Sequence, residues 1–331
     1  MAVRGKSIHS MLLHAIVLTL VVWAGGVPAR AMDCPRPVGR WGHGTVYAVA
    51  ADEAHVYVGC GTGLQIYGIE DPAHPRMVSE LLLEGQIHCI TLKQRNDKTY
   101  AFIAGSRAGM IIVDVSDRSA PVRVGGLDTP HYAWDVTVEG NLAYVADHDF
   151  ASSAGDFSAL HIMDIRDIAH PSEVGNIVLG AVMGVAVQGG YAYLATFDGL
   201  RVVDVRNPAS PCEVGSFLWE GMAQNVEIRP GPEGKVLAYV CDPISGLLII
   251  DVSDPGRPTL FGIFDWWSAY DITFVGSLAY IAALFDSFVI VDISDPSEPQ
   301  WIGYLDTQER VGGVAVPLGE FAYLANIRGS W

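Results

Sequence analysis

Six times in this chain an apolar run ends at one fixed position and a proline follows seven residues later. The segments are LQIYGIEDPAHPRMVSEL, MIIVDVSDRSAPVRVGGL, LHIMDIRDIAHPSEVGNI, LRVVDVRNPASPCEVGSF, LLIIDVSDPGRPTLFGIF and FVIVDISDPSEPQWIGYL. The run closes in Asp114, Asp164, Asp204, Asp251 and Asp292, with Gly68 in the first copy, and the prolines are Pro75, Pro121, Pro171, Pro211, Pro258 and Pro299. Successive prolines stand 46, 50, 40, 47 and 41 residues apart. Units recurring at that period bury their apolar faces on one another, which restricts the chain to a repeat architecture.

Upstream of each unit lie two further short runs. WDVTVEGNLAYVAD, MGVAVQGGYAYLAT, YDITFVGSLAYIAA and GGVAVPLGEFAYLA each read as a strand, a tight turn bearing glycine, and a strand containing Ala-Tyr. Valine, isoleucine and tyrosine suit a buried pleated surface, and Gly, Asn and Asp suit the turns between. One period is therefore four antiparallel strands, and no window outside the N-terminal segment has helical apolar spacing. Four-stranded units of this length describe an all-β fold, a β-propeller whose blades pack face to face. The inner pair occurs seven times and the outer pair six, so seven blades are expected with the last incomplete. CPRPVGRW reproduces the spacing of Pro171, Val174 and Gly175 and is expected to close the ring as an N-terminal outer strand. One strand of that blade is then missing, and the expectation is that the sequence stops short of its natural end.

The Asp-x-Ser-Asp-Pro-x-x-Pro stretch has its own physical account. Asp and Ser side chains bond nearby backbone N–H groups, and proline fixes its own φ and removes a donor. Such a segment stops the third strand and re-aims the chain into the fourth, and its spacing matches no loop of alternating calcium ligands. MIIVDVSD, LLIIDVSD and FVIVDISD, with their preceding Ala-Tyr strands and following prolines, resemble the LVIVD repeats of exported bacterial and archaeal proteins. The resemblance covers nearly all of residues 35–331. It implies an extracytoplasmic propeller and carries over no catalytic residue.

Residues 1–31 have the build of a signal peptide, with Arg4 and Lys6, an apolar stretch from Met11 to Trp23, and Ala29-Arg30-Ala31 as the cleavage pattern. Thirteen apolar residues fall short of the roughly 20 that span a bilayer. The expected mature protein is one propeller domain, residues 32–331, exported to the periplasm, cell surface or medium, monomeric and without a membrane span. Losing Arg4, Lys6 and Arg30 and no acid moves the formal net charge from −17 to −20. A surface this acidic repels phosphate backbones, which argues against nucleic acid as a partner. The five cysteines show no Cys-x-x-Cys spacing, and Cys60, Cys89 and Cys241 sit in or at the ends of apolar runs as small hydrophobes.

Two places are candidate sites. Aligning the innermost strands puts Ala48, Cys89, Asp135, Gly184, Asn225, Asp271 and Gly313 at one position, preceded by Tyr47, His88, Trp134, Met183, Gln224, Tyr270 and Gly312. The expected ligand site is a channel mouth formed by His88, His131, Trp134, Asp135, Asn225, Tyr270 and Asp271. The second is the extended loop DHDFASSAGDF, where Asp147, His148, Asp149 and Asp156 are candidate ligands for a divalent cation, the one cofactor considered. No Gly-x-Ser-x-Gly elbow is present. A binding or protein-interaction scaffold is the favoured function, with a lactonase- or glycosidase-like hydrolase using Asp135, Asp271 and His131 as the alternative.

Overall fold

The computed structural model describes residues 18–22, 35–41, 45–149, 158–285, 287–317, 319 and 321–327. Six blades are each cut from one continuous stretch. They comprise, from the innermost strand outward, β3–β6 (Val46–Ala51, His55–Cys60, Gly63–Gly68, Arg76–Leu82) and β7–β10 (Cys89–Arg95, Lys98–Ala104, Met110–Asp114, Val122–Leu127). The third and fourth are β11–β14 (Tyr132–Glu139, Leu142–His148, Ala159–Asp164, Ser172–Val178) and β15–β18 (Val182–Gln188, Tyr191–Thr196, Gly199–Asp204, Cys212–Leu218). The fifth and sixth are β19–β22 (Asn225–Pro230, Val236–Asp242, Gly246–Asp251, Thr259–Phe264) and β23–β26 (Ala269–Val275, Leu278–Ala283, Ser287–Asp292, Gln300–Asp306).

A further four-stranded sheet draws on both ends of the chain. Its inner pair is β27 (Arg310–Ala315) and β28 (Phe321–Ile327), and its outer strand is β2 (Arg36–Trp41). Between them lies β1 (Leu18–Val22), with Leu20 opposite Tyr323 on one side and Gly39 on the other. The blade expected to lack a strand is thus complete, and the correction has a simple cause. An apolar β-branched run reads equally well as the core of an export leader and as a central strand, and here the backbone of Leu18–Val22 pairs as a strand. Between each pair of neighbouring sheets sits one apolar cluster. Val56, Val58, Tyr323 and Ala325 join the composite sheet to the first blade and close the ring.

The repeated aspartates hold the turns after the third strands. Oδ1 of Asp114, Asp164, Asp204, Asp251 and Asp292 accepts the N–H two residues on, at 2.8–3.0 Å. The Val-Gly that follows the proline is also explained. Val124, Val174 and Val214 are bulge residues in their outer strands, since pairing skips them. The glycine after each lies against a carbonyl of the next blade's turn. A Cβ at Gly125, Gly175, Gly215 or Gly262 would stand 1.9–2.3 Å from the oxygen of Ile168, Pro208, Pro255 or Pro296. The first blade has Ser79 at this place, and its hydroxyl donates to the Arg118 carbonyl at 2.5 Å.

Candidate functional site

The innermost strands present two consecutive residues to the axis, and five of them carry a bulge at their start. Pairing skips Tyr47, Trp134, Met183, Tyr270 and Gly312. In the other two blades the register is unbroken, and His88 and Gln224 stand just before the strand, donating their N–H to the carbonyls of Ala104 and Cys241. A bulge of this kind re-aims a side chain that regular alternation would send to the other face. All seven residues line one axial cavity of about 350 Å³, together with Cys89, Asp135, Asn225, Asp271 and, deeper, Thr91, Thr137 and Glu227. The two aligned sequence positions therefore become two layers, a bulky rim above a polar shaft.

The rim is aromatic over much of its circumference. His88 stacks on Trp134 with ring centres 4.1 Å apart, and Tyr47 meets His88 at 5.3 Å. Burial pushes the His88 imidazole down to about 4, so it is neutral at physiological pH. Gly312 places no side chain between Tyr270 and Tyr47, and burial, with the nearby Tyr47 and Asp271, raises the Tyr270 hydroxyl.

Below the rim the acids join blades. Asp135 accepts the N–H of Val136 and, across the interface, that of Val185, both at 2.8 Å. Asp271 likewise accepts Val314 N–H from β27 and the Asn225 side-chain amide, both at 2.9 Å. Removal from water raises both carboxyls, Asp271 to about 7. Glu227 is raised to about 7 by enclosure and by Asp271 and Asp135, against the pull of Arg229 and Lys93. Its side chain nevertheless keeps an exposed surface toward the cavity, so the upward direction holds while water in the cavity tempers its size. The Cys89 thiol is raised well above its ordinary value, first by burial and then by Asp135, and is no nucleophile at neutral pH. Asn225 Oδ1 is buried and has no hydrogen-bond partner among the described residues.

The structure brings His88, Trp134, Asp135, Asn225, Tyr270 and Asp271 together and leaves His131 out. His131 precedes β11, where the chain is still crossing from the second blade. Its backbone N–H donates to Asp147 at 3.1 Å, and its ring lies 3.4 Å from the same carboxylate. That corrects its placement at the mouth and removes it from a hydrolytic set with Asp135 and Asp271. Asp147 and His148 are neighbours on one strand and face opposite ways. Asp147 looks toward His131 and His161, each 3.4 Å away, whereas His148 bonds Ser158 at 3.1 Å and meets the Phe197 ring. Asp149 lies 4.0 Å from His131, and Asp156 falls outside the described residues. Among the described residues no group of three or more His, Cys, Asp or Glu side chains is arranged to hold a metal ion.

The loops of this face are positioned by a feature the sequence reading passed over, the last residue of the second strands. Asp242 takes four donors at 2.7–2.9 Å, from Trp219 Nε1 and the N–H groups of Met222, Ile244 and Ser245. Asp147, Thr196 and Asn326 occupy the equivalent place and bond the connecting loops, Asn326 through Glu309. The signal lay in the aligned ends of AYVAD, AYLAT, AYVCD and AYLAN.

Five consecutive segments, residues 98–129, 130–178, 179–218, 220–265 and 268–307, match the model of the LVIVD repeat and together cover more than half of the chain. The chain belongs to the LVIVD repeat family. No curated protein matches this LVIVD propeller in sequence. In shape it is similar to the Saccharomyces cerevisiae protein Sqt1, with a TM-score of 0.60 at 9% identity over 87% of this chain and 84% of that one. It is also similar to a chain of a mitotic checkpoint complex, with a TM-score of 0.63 at 11% identity over 99% and 97% of the two chains. At such identities the likeness concerns the fold alone. Among the described residues no helix is long and apolar enough to cross a membrane.

Proposed function

We propose that this LVIVD propeller is an extracytoplasmic binding protein whose ligand site is the mouth of the axial channel. The observation that carries the reading is the convergence of seven innermost strand starts, five of them bulged, on one cavity, giving an aromatic rim over a polar, acid-bearing shaft. A concave site with apolar walls and a few convergent polar groups is the usual form of a ligand pocket. Binding is favoured over hydrolysis by the state of the groups present. His88 is neutral and stacked, Cys89 is held as the thiol, and both oxygens of Asp135 and of Asp271 are engaged by N–H donors. Export rests on the charged, apolar and small-residue pattern of residues 1–31.

Tryptophan emission of the full chain, titrated with a panel of small molecules and with Trp134→Phe as the reference, tests the site. A compound that shifts the parent's emission and leaves the variant's unchanged supports it. A panel that never separates the two proteins counts against it. Fractionation of cells expressing the chain with and without residues 1–31 tests the location, and retention of both forms in the cytoplasm would refute export.

A further inference from the structure

The shaft accepts hydrogen bonds and offers few. Its polar groups are the carboxyls of Asp135, Asp271 and Glu227, the unpartnered Asn225 Oδ1 and the hydroxyls of Thr91, Thr137 and Thr273, of which Thr91 donates to the Val136 carbonyl, and a chain of net charge −17 surrounds them. The Glu227 side chain has no hydrogen bond to another described residue, so its carboxylate remains available toward the cavity. Above it, Tyr47, His88, Trp134 and Tyr270 present ring surfaces. An anion is repelled by a site whose ionisable groups below the rim are all acids. A cation with an apolar body is matched twice, by ring faces that attract positive charge and by carboxylates beneath.

We infer that the mouth binds an organic ammonium ion with an aliphatic chain, a linear diamine, whose methylenes lie along the aromatic rim while one ammonium reaches Glu227 and Asn225 Oδ1. This deepens the proposed function and rests on it. The ammonium favours the ionised acids and displaces protons from them, so binding strengthens as pH rises from about 6 to about 8. The groups facing Glu227 in this balance are Asp271, Asp135, Arg229 and Lys93, and those facing Asp271 include Asp135 and Tyr270. The two cations of the shaft lie on the side away from the rim, one to two turns of the pleat beyond Thr91 and Glu227 in β7 and β19.

Calorimetric titration of the full chain with putrescine, a four-carbon diamine, tests the inference against butanediol, its neutral analogue of equal length. The expected result is putrescine binding roughly tenfold or more tighter than the diol, strengthening with pH, and weakened about tenfold in Glu227→Gln. Glu227→Gln makes no change to the hydrogen bonds between blades, and an unaltered urea midpoint shows that it folds. Equal affinity for diol and diamine, or undiminished putrescine binding in a folded Glu227→Gln, overturns the inference. If putrescine gives no heat while another compound separates the parent from Trp134→Phe, the cation reading falls and the mouth stands as a binding site. If neither occurs, both readings fall.

Discussion

Replacing Gly175 by Ala tests the account of the outer-strand glycines, because one extra carbon there has nowhere to go. The added Cβ would lie 2.1 Å from the Pro208 oxygen and 3.2 Å from Ala209 Cα. Ordinary carbon to oxygen contacts begin at about 3.3 Å, so the overlap exceeds an ångström. The carbonyl cannot swing aside, since its turn is held by Arg206 N–H on Asp204 and Ser210 N–H on the Asn207 carbonyl, both at 3.0 Å. Relief requires the third and fourth blades to part, which loosens the cluster of Leu160, Ile162, Val182, Leu194 and Val203. Overpacking typically costs about 1–3 kcal/mol, and a clash with anchored backbone belongs at the upper end. The smaller conformational freedom of unfolded Ala returns about 0.5–1 kcal/mol, leaving a net loss of about 2 kcal/mol. Gly303 holds the same place in its strand, yet its nearest neighbour among the described residues would be Pro35 Cδ at 3.4 Å, an ordinary contact. Gly303→Ala should therefore be neutral or stabilising by up to about 0.5 kcal/mol. Urea unfolding followed by tryptophan fluorescence gives both values. A Gly175→Ala protein within about 0.5 kcal/mol of the parent, or equal losses at the two sites, would refute the reasoning.

The other expectations concern stability, pH and the composite sheet. Asp242→Ala leaves four donors without their acceptor, so a loss of about 3 kcal/mol is expected with a change in Trp219 emission, and an unchanged urea midpoint would count against it. Asp271 is raised by burial from 3.8 to about 7, so between those pH values the folded chain holds a proton that the unfolded chain has released. Stability falls as pH rises through that window, by about 2 kcal/mol once partial exposure is allowed for, and urea midpoints at about pH 5 and pH 8 should differ less in Asp271→Asn than in the parent, the remainder coming from Glu227 and Asp135. Because β1 supplies one whole side of β28, a chain starting at Met32 should exchange its Ala322–Ala325 amides faster than the full chain does, and equal hydrogen exchange would show that Leu18–Val22 leaves that edge uncovered.

The repeat was readable because its determinants are local. An aspartate that bonds an amide two residues on, and a proline that fixes one dihedral, act the same way wherever they stand. The Val-Gly pair was visible as a pattern, but its reason lies in the adjacent blade, where a turn carbonyl presses on the strand. At the mouth, alignment placed bulky and small residues side by side, and the bulge that turns both toward the axis is a property of strand pairing. His131 was misplaced because proximity in sequence to Trp134 does not say where the innermost strand begins. Asp147 and His148 were grouped by adjacency, although adjacency on a strand sends them to opposite faces. Leu18–Val22 pairs as a strand within a segment that also has the pattern of an export leader, since apolar content alone does not distinguish the two.

The acids of the shaft divide by what already holds them, and that division decides which substitutions report on binding. Asp135 and Asp271 each spend one oxygen on a neighbouring blade's backbone, at Val185 and Val314. Removing either leaves a buried N–H without an acceptor, a loss of about 1–3 kcal/mol in the ring itself. Weakened ligand binding in such variants would mix a damaged scaffold with a missing contact. Glu227 carries no such bond, and Trp134 occupies a bulge whose backbone pairing is independent of its side chain. The bonds of Asp135 and Asp271 are ones the fold itself requires, whereas the Glu227 side chain spends none on holding blades together. For this chain, binding that responds to Glu227→Gln and Trp134→Phe at unchanged stability is what separates a site from a by-product of closing the ring.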